Sequence, residues 1–395
     1  MSREQLVELA RQDLAHGRNG TLDQVDEIYK VPVENYYDQS RFDEEVEKIF
    51  RRVPLVLAAT AELPNPGNYK AMQAAGVQVI ISRTRDGSVK AFVNMCSHRG
   101  SRLIADGSGT AHKFTCPYHA WTYSTEGDLI AVYSEDDFGA VDRSCFGLTE
   151  LPCLEISGII WVILDKDSKL DIKNFLSGYD SMLAEFELDT WHHQHTQTVF
   201  GPNWKVAYDG YLDYYHLPIL HRESFGSEMG NQANYYSWGP HTHLGRPDAS
   251  FAEFEHLPDE EWPVERLVAG VWTIFPHISI ASFYGGGRSI MLSQLFPGDT
   301  PETSYTNQIF LMEKVPETEE QKAEAQQQFE FLKYVVQDED YATGNALQKN
   351  LNVGAKSHVL FGKNEGGGQQ FHQWVDKILE TDDEDLPELF SSASN

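Results

Sequence analysis

The chain has 395 residues, 41% of them hydrophobic and 12% aromatic, with 60 acidic against 31 basic residues and a formal charge of −29. That length exceeds one comfortable core and predicts two domains of ordinary globular composition. The acidity argues against nucleic acid and anionic membrane as partners and leaves room for a basic protein partner, and no apolar run reaches membrane-spanning length.

Residues 1–51 read as a helical arm. It opens on the amphipathic MSREQLVELARQD, breaks at Pro32 and resumes in FDEEVEKIF at 42–50. The arm is expected to cover the domain that follows it. It does not resemble a signal peptide, so a cytoplasmic location is expected. From 52 to 165 the pattern changes to short alternating apolar runs. VQVIISRT (77–84), the Asp86-Gly87 turn and VKAFVNM (89–95) predict a hairpin. HKFTCP, WTYSTEGDLIAV and ISGIIWVIL extend it into a small all-β domain.

The loops of that domain present Cys96-Ser97-His98 and Cys116-Pro117-Tyr118-His119. A zinc finger usually groups Cys with Cys and His with His. Here each loop offers one thiolate and one imidazole, which suits a [2Fe–2S] cluster with sulfur on one iron and nitrogen on the other. Structural zinc is the alternative. Cys145 and Cys153 read as ordinary buried thiols.

Residues 166–395 mix helix and strand. Helix is expected over 170–190, again from near Trp204 to 217, and over 316–351 with Gly344 as its weak point. Residues 225–265 look irregular. VWTIFPHISIASF (271–283), SIMLSQLF (289–296) and YTNQIFLME (305–313) predict an antiparallel sheet. The GGG at 285–287 is a turn, and ETDDEDLPELFSSASN is a solvated acidic tail. DYYHLPILH (213–221) supplies Asp213, His216 and His221. Two imidazoles and a carboxylate suit non-haem iron(II) with open positions. If Asp213–His216 is helical the two side chains share a face, and Pro218 should break the helix so that His221 converges. Satisfied core histidines are the bland alternative. His192, His193 and His195 read as loop surface, and His241 and His243 as structural residues on one strand face.

Together these motifs are similar to a known family. CSHRG and CPYHAWTYSTEGDL resemble the Rieske signature of the Rieske non-haem iron oxygenases, the large (alpha) subunits of aromatic-ring-hydroxylating oxygenases. NWKVAYDGYLDYYHLPILH (203–221) is similar to the segment that opens their iron site. Ala120 stands where the family more often has Gly, a change expected to matter little. Asp209-Gly210 departs from an acidic residue followed by Asn, which leaves the Asn contact open.

The resemblance implies an α+β chain: an N-terminal all-β Rieske domain (52–165), then a catalytic domain (166–395) with an antiparallel sheet covered by helices. It implies that Cys96, His98, Cys116 and His119 hold the [2Fe–2S] cluster and that His216, His221 and Asp340 hold mononuclear Fe(II). Asp340 is preferred to Asp338 because Gln348 follows it at the family spacing; Asp338 and Glu339 are then surface charge. Asp213 is implied to bridge rather than ligate, accepting from His216 and from His119 of a neighbouring subunit in a head-to-tail homotrimer, with or without a small beta subunit. Electrons would come from an NAD(P)H-dependent reductase, directly or through a ferredoxin, since the chain has no FAD or NAD fingerprint. Dioxygen and a largely apolar ring are the implied substrates, with ring hydroxylation (mono- or dihydroxylation) first and oxidative O- or N-demethylation second. A Rieske electron carrier without catalysis is the reading from another class. The basic residues between Val206 and Val315 are Arg222, Arg246, Arg266, Arg288 and Lys314, so a substrate carboxylate would pair with Arg222 or Arg288.

Overall fold

Residues 2–392 are described by the computed structural model, and they divide into two compact units. One comprises Phe50–Ile172 with Leu188–Thr190; the other takes residues 2–49, 173–187 and 191–392.

The first unit is all β apart from short helical turns. Val77–Arg83 and Val89–Val93 pair antiparallel, Val79 opposite Val93 and Arg83 opposite Val89. The turn between them closes because Asp86 Oδ1 accepts from Ser88 N at 3.0 Å and Gly87 takes φ +88°, a left-handed value that suits glycine. These strands are central in a five-stranded sheet, with Asn68–Ala74 and Gly107–Thr110 on one side and Glu150–Leu151 on the other. A small three-stranded sheet, Lys113–Thr115, Thr122–Ser124 and Leu129–Ala131, carries the second Cys-His loop. Cys145 is exposed, against the expectation of a buried thiol, whereas Cys153 is partly buried and burial pushes its thiol up to about 12.

The second unit is built on a seven-stranded antiparallel sheet. In spatial order its strands are His192–Gly201, Ser304–Met312, Arg288–Pro297, Ile278–Tyr284, Val271–Ile274, His241–Gly245 and Asn234–Trp238. The run expected as one strand over 271–283 is a hairpin. Ile274 faces Ile278, because Pro276 has no N–H for the ladder and the chain turns there. Asn234–Trp238 and His241–Gly245 lie within the stretch expected to be irregular. His192, His193 and His195 lie on an edge strand and not in a loop; His195 stacks on Phe329 at 5.9 Å. At the GGG turn a Cβ on Gly286 would lie 2.1 Å from Gln321 O, so the close approach of helix Glu319–Tyr334 requires glycine there.

The helical arm, expected to cover the β unit that follows it in sequence, groups with the other unit. Helix Ser2–Asn19 buries Leu6, Val7, Ala10 and Leu14, and it packs on the later segments Ala249–Phe254, Asp259–Glu261 and Val264–Leu267. An apolar stripe goes where matching apolar surface lies, whatever the sequence order. The acidic tail is not simply solvated either. Leu386–Ser392 is helical, with Leu386 and Phe390 buried and Phe390 edge-on to Phe175 at 5.0 Å; residues 393–395 of that tail, like Met1, lie outside the described residues.

Three histidines are locked into this core. His241 donates from Nε2 to Phe175 O (2.9 Å), His243 from Nε2 to Ala269 O (2.8 Å) while stacking on Trp272, and His277 from Nδ1 to Leu295 O (3.2 Å). Burial pulls their pKa values from 6.5 down to about 4, 4 and 3. As pH falls below 6.5 the unfolded chain therefore takes up protons that the folded chain refuses. Stability is full above that pH and declines towards pH 4, by on the order of 3 kcal/mol per histidine. Asp13, whose carboxyl burial lifts to about 6, and Glu365, also raised by burial, run the other way over part of this interval. Denaturant titrations at pH 8, 6.5 and 5 should show this acid loss, and a flat profile would contradict it.

Candidate cluster and metal sites

The two Cys-His loops are near copies of one another. In the first, Gly100 N donates to Cys96 O (2.9 Å) and Cys96 N to Ser101 O (2.8 Å); in the second, Ala120 N donates to Cys116 O (3.0 Å) and Cys116 N to Trp121 O (2.8 Å). Both turns put their fifth residue in the left-handed region, Gly100 at φ +76° and Ala120 at φ +55°. The Ala at 120 thus has a cost the sequence reading did not anticipate. Ala120→Gly should stabilise the loop by about 1 kcal/mol, seen as a higher melting temperature of the cluster's visible absorption.

Both cysteines are buried and both histidines are half-exposed. The imidazoles of His98 and His119 lie 4.7 Å apart, and Trp121 stacks on His98 at 4.9 Å. Tyr123 OH sits 3.2 Å from Cys96 Sγ and accepts from Ser97 N at 3.0 Å. Burial pushes the Cys96 thiol up. At Cys116 burial is outweighed by the backbone N–H groups of His119 and Tyr118, which draw the thiol down. Nδ1 of His98 and Nδ1 of His119 are buried without a hydrogen-bond partner among the described residues. Two orphaned nitrogens and two buried sulfurs facing one space fit an iron–sulfur cluster in donor chemistry and in arrangement.

The second constellation begins at the Asn-Trp-Lys lead. Asn203 caps helix Trp204–Asp209 by accepting from Lys205 N (2.8 Å); Trp204 Nε1 donates to Glu45 Oε2 (2.8 Å), and the buried Lys205 ammonium pairs with the same carboxylate. The helix is one and a half turns long and does not run to 217. Asp209 Oδ1 is held by His372 Nε2 at 3.0 Å. Asp213 is in a turn, not a helix. Its Oδ1 accepts from both the backbone N (3.1 Å) and Nδ1 (2.9 Å) of His216. His216 and His221 then flank the one-turn helix Leu217–Leu220, with Pro218 in its first turn, where the missing N–H costs nothing; proline starts this helix and does not break one.

Across from them, helix Glu319–Tyr334 widens into a π-helical segment, Val335–Asp340, before Tyr341–Leu351. Asp340 Oδ1 lies 3.1 Å from His221 Nε2 and 3.9 Å from His216 Nε2. One donor atom each from His216, His221 and Asp340 falls within a 4.8 Å span. Since Nδ1 of each imidazole faces a carboxylate, both Nε2 atoms are left with their lone pairs towards that span.

Glu339 is the residue that sequence reasoning missed. It is buried, its Oε2 accepts from His221 Nδ1 and from Ser224 Oγ, each at 2.7 Å, and it is no surface charge. Consecutive residues on an α-helix point about 100° apart, so regular helix would not bring two neighbours of 338–340 to one imidazole. The π-helical widening lets neighbours 339 and 340 take the two nitrogens of one imidazole. Burial opposes protonation of His221, but Asp340 and then Glu339 outweigh it and raise its pKa.

A cavity of about 600 Å³ adjoins this site. Tyr214, Leu217 and Phe225 line it from the histidine segment, and Val271, Ala281 and Phe283 from the sheet; Phe225 stands edge-on to His221 at 5.6 Å. Neither Arg222 nor Arg288 is part of the lining. Arg288 pairs with Glu313 and lies over Trp191.

Comparison with known proteins decides the family. Residues 53–145 match the Rieske [2Fe-2S] domain, and residues 188–381 match the ring hydroxylating alpha subunit (catalytic domain). The chain belongs to the Rieske non-haem iron oxygenase family. It is 32% identical over 219 residues to the glycine betaine monooxygenase oxygenase subunit of Chromohalobacter salexigens (54% of this chain, 48% of that one). It is 31% identical over 215 residues to the naphthalene 1,2-dioxygenase large oxygenase component of Pseudomonas aeruginosa (50% and 47%). The chain spans about half the length of both relatives. A solved quaternary ammonium Rieske monooxygenase, described with carnitine oxidation and inter-subunit electron transfer, shares the fold at TM-score 0.71 and 20% identity (91% of this chain, 100% of that one). As in this family, the first unit of the Rieske oxygenase chain is a [2Fe–2S] domain and the second a domain for mononuclear non-haem iron. Among the described residues no helix is long and apolar enough to cross a membrane.

Proposed function

We propose that this chain is the terminal oxygenase of a multicomponent system: it receives electrons from an NAD(P)H-dependent reductase, directly or through a ferredoxin, and hydroxylates a largely apolar ring with dioxygen. The observation that carries the reading is the convergence of His216 Nε2, His221 Nε2 and Asp340 in a chain that also presents two thiols and two orphaned imidazole nitrogens in its other unit. When bound, the cluster at Cys96, His98, Cys116 and His119 supplies single electrons, and the iron at His216, His221 and Asp340 supplies the oxygen chemistry.

The chain's own residues do the positioning. Asp213 fixes the His216 tautomer through Nδ1, and its second oxygen is the acceptor for His119 of a neighbouring copy in a head-to-tail trimer. Glu339 does the same for His221, steadied by Ser224. Phe225, Leu217 and Phe283 keep water from the adjoining cavity and favour an apolar substrate. The relatives' names support the second reading, oxidative demethylation, since one is a glycine betaine monooxygenase. A cytoplasmic location follows from dependence on NAD(P)H.

Iron and sulfide analysis of fully loaded protein tests the assignment. One iron beyond the cluster is expected; cluster iron alone would reduce the protein to an electron carrier, and colourless zinc protein would end the redox reading. Glu339→Gln should weaken mononuclear iron binding by about 10- to 100-fold and leave the visible spectrum of the cluster unchanged. Chelator competition measures it, and unaltered iron affinity would show that Glu339 has no positioning role.

A further inference from the structure

The cavity beside the candidate iron site is lined by two acids and two bases, Asp13, Asp248, Arg246 and Arg266, as well as by Phe225 and Leu217. Arg266 is committed: its guanidinium pairs with Asp248 at 3.1 Å and Glu253 at 3.3 Å, donates to Ser250 Oγ at 2.7 Å, and lies over the Phe251 and Phe254 rings. Asp13 is committed as well. Its Oδ1 accepts from Asn234 Nδ2 (2.5 Å) and Tyr236 OH (2.8 Å), and its Oδ2 packs so tightly on Gly245 that a Cβ there would come within 2.7 Å. These bonds fasten the N-terminal helix to the sheet and leave Asp13 a poor seat for a ligand cation. Arg246 has no hydrogen bond or ion pair within 4 Å among the described residues; its charge reaches the Asp248 carboxylate, which Arg266 already holds, and the Tyr214 hydroxyl, which donates to Leu244 O.

The cavity lining is therefore mixed. Leu217, Phe225 and Phe283 are its apolar part, with Phe225 edge-on to His221, and Arg246 contributes a guanidinium free of hydrogen bonds whose planar fork matches a carboxylate. We propose that the ligand of this cavity is an apolar ring bearing one carboxylate, the ring packed on Leu217, Phe225 and Phe283 and the carboxylate seated on Arg246. That it is the substrate rests on the oxygenase reading above; that it binds does not. The arginine partner is neither of the two expected from the sequence, because exposure and cavity lining, not position in the chain, decide which guanidinium a ligand can reach.

Calorimetric titration of iron-loaded protein tests this with matched probes: benzoate, cinnamate, cyclohexanecarboxylate and 1-naphthoate, each against its alcohol, and benzyltrimethylammonium as the cationic counterpart. At least one carboxylate should bind about tenfold or more tightly than its alcohol. Arg246→Gln should remove that preference while changing alcohol affinity by less than about twofold, and Arg246→Lys should keep part of it. No carboxylate preference across the panel, tighter binding of the ammonium probe, or a preference that survives Arg246→Gln would each overturn the proposal. The titration needs no turnover. A protein that selects carboxylates through Arg246 but never consumes oxygen would refute the oxygenase reading alone, and an active oxygenase indifferent to the carboxylate would refute the anion seat alone.

Discussion

Asp340→Ala is expected to strip the mononuclear iron and leave the cluster intact. Among the described residues Asp340 Oδ1 is the one carboxylate oxygen near both Nε2 atoms, 3.1 Å from that of His221 and 3.9 Å from that of His216. Without it two neutral imidazoles remain, too few donors to hold Fe(II) against water. Oxygen-coupled turnover should fall about a thousandfold or more, while the visible spectrum of the cluster proposed at Cys96, His98, Cys116 and His119 stays as it was. The fold should tolerate the change, because Asp340 holds a half-exposed position in the π-helical segment and its side chain has no partner but the two histidines among the described residues. Asp338→Ala serves as the control: Asp338 is exposed, and its loss should leave iron content and rate unaltered. If Asp340→Ala kept its iron, the assignment would fall.

The next largest effect is expected from Asp213→Asn, with a different signature. An Asn Oδ1 can still accept from His216 N and Nδ1, so the turn and the imidazole orientation survive and iron should remain bound. The negative charge and the second acceptor oxygen are lost, and with them the proposed contact to a neighbouring copy. Reduced cluster should then reoxidise slowly in the presence of substrate and oxygen, with turnover down by about a hundredfold. Stopped-flow absorbance of the cluster reads this directly. Rapid reoxidation in Asp213→Asn would sink the bridging role while leaving the iron ligands untouched. Asp213→Ala is the less clean variant, since it also removes the cap of the turn at His216.

Much of the site was legible in the linear chain because its chemistry is local. Cys96 with His98, and Cys116 with His119, sit in five-residue loops whose hydrogen bonds close within the loop, so spacing alone carries the pattern. The Asp213–His216 pair is likewise made within one turn. The sheet runs at 289–296 and 305–313 were readable from alternation. One expected strand became two at Pro276, a local signal inside the run itself. The other elements that failed were those in which a neighbour in space overrules the local signal: the N-terminal helix joined the later unit, and the acidic tail docked through Leu386 and Phe390.

The order of residues alone was enough to specify two Cys-His loops, two histidines five apart behind an aspartate, and an acidic triplet far downstream, because short-range geometry and ligand chemistry need no distant partner. Which acid of the triplet meets which nitrogen, that Glu339 backs His221, and that Arg246 rather than Arg222 or Arg288 faces the cavity were decided only by the folded chain. The first two depend on a π-helical segment and on a bond between residues more than a hundred positions apart, Glu339 and His221.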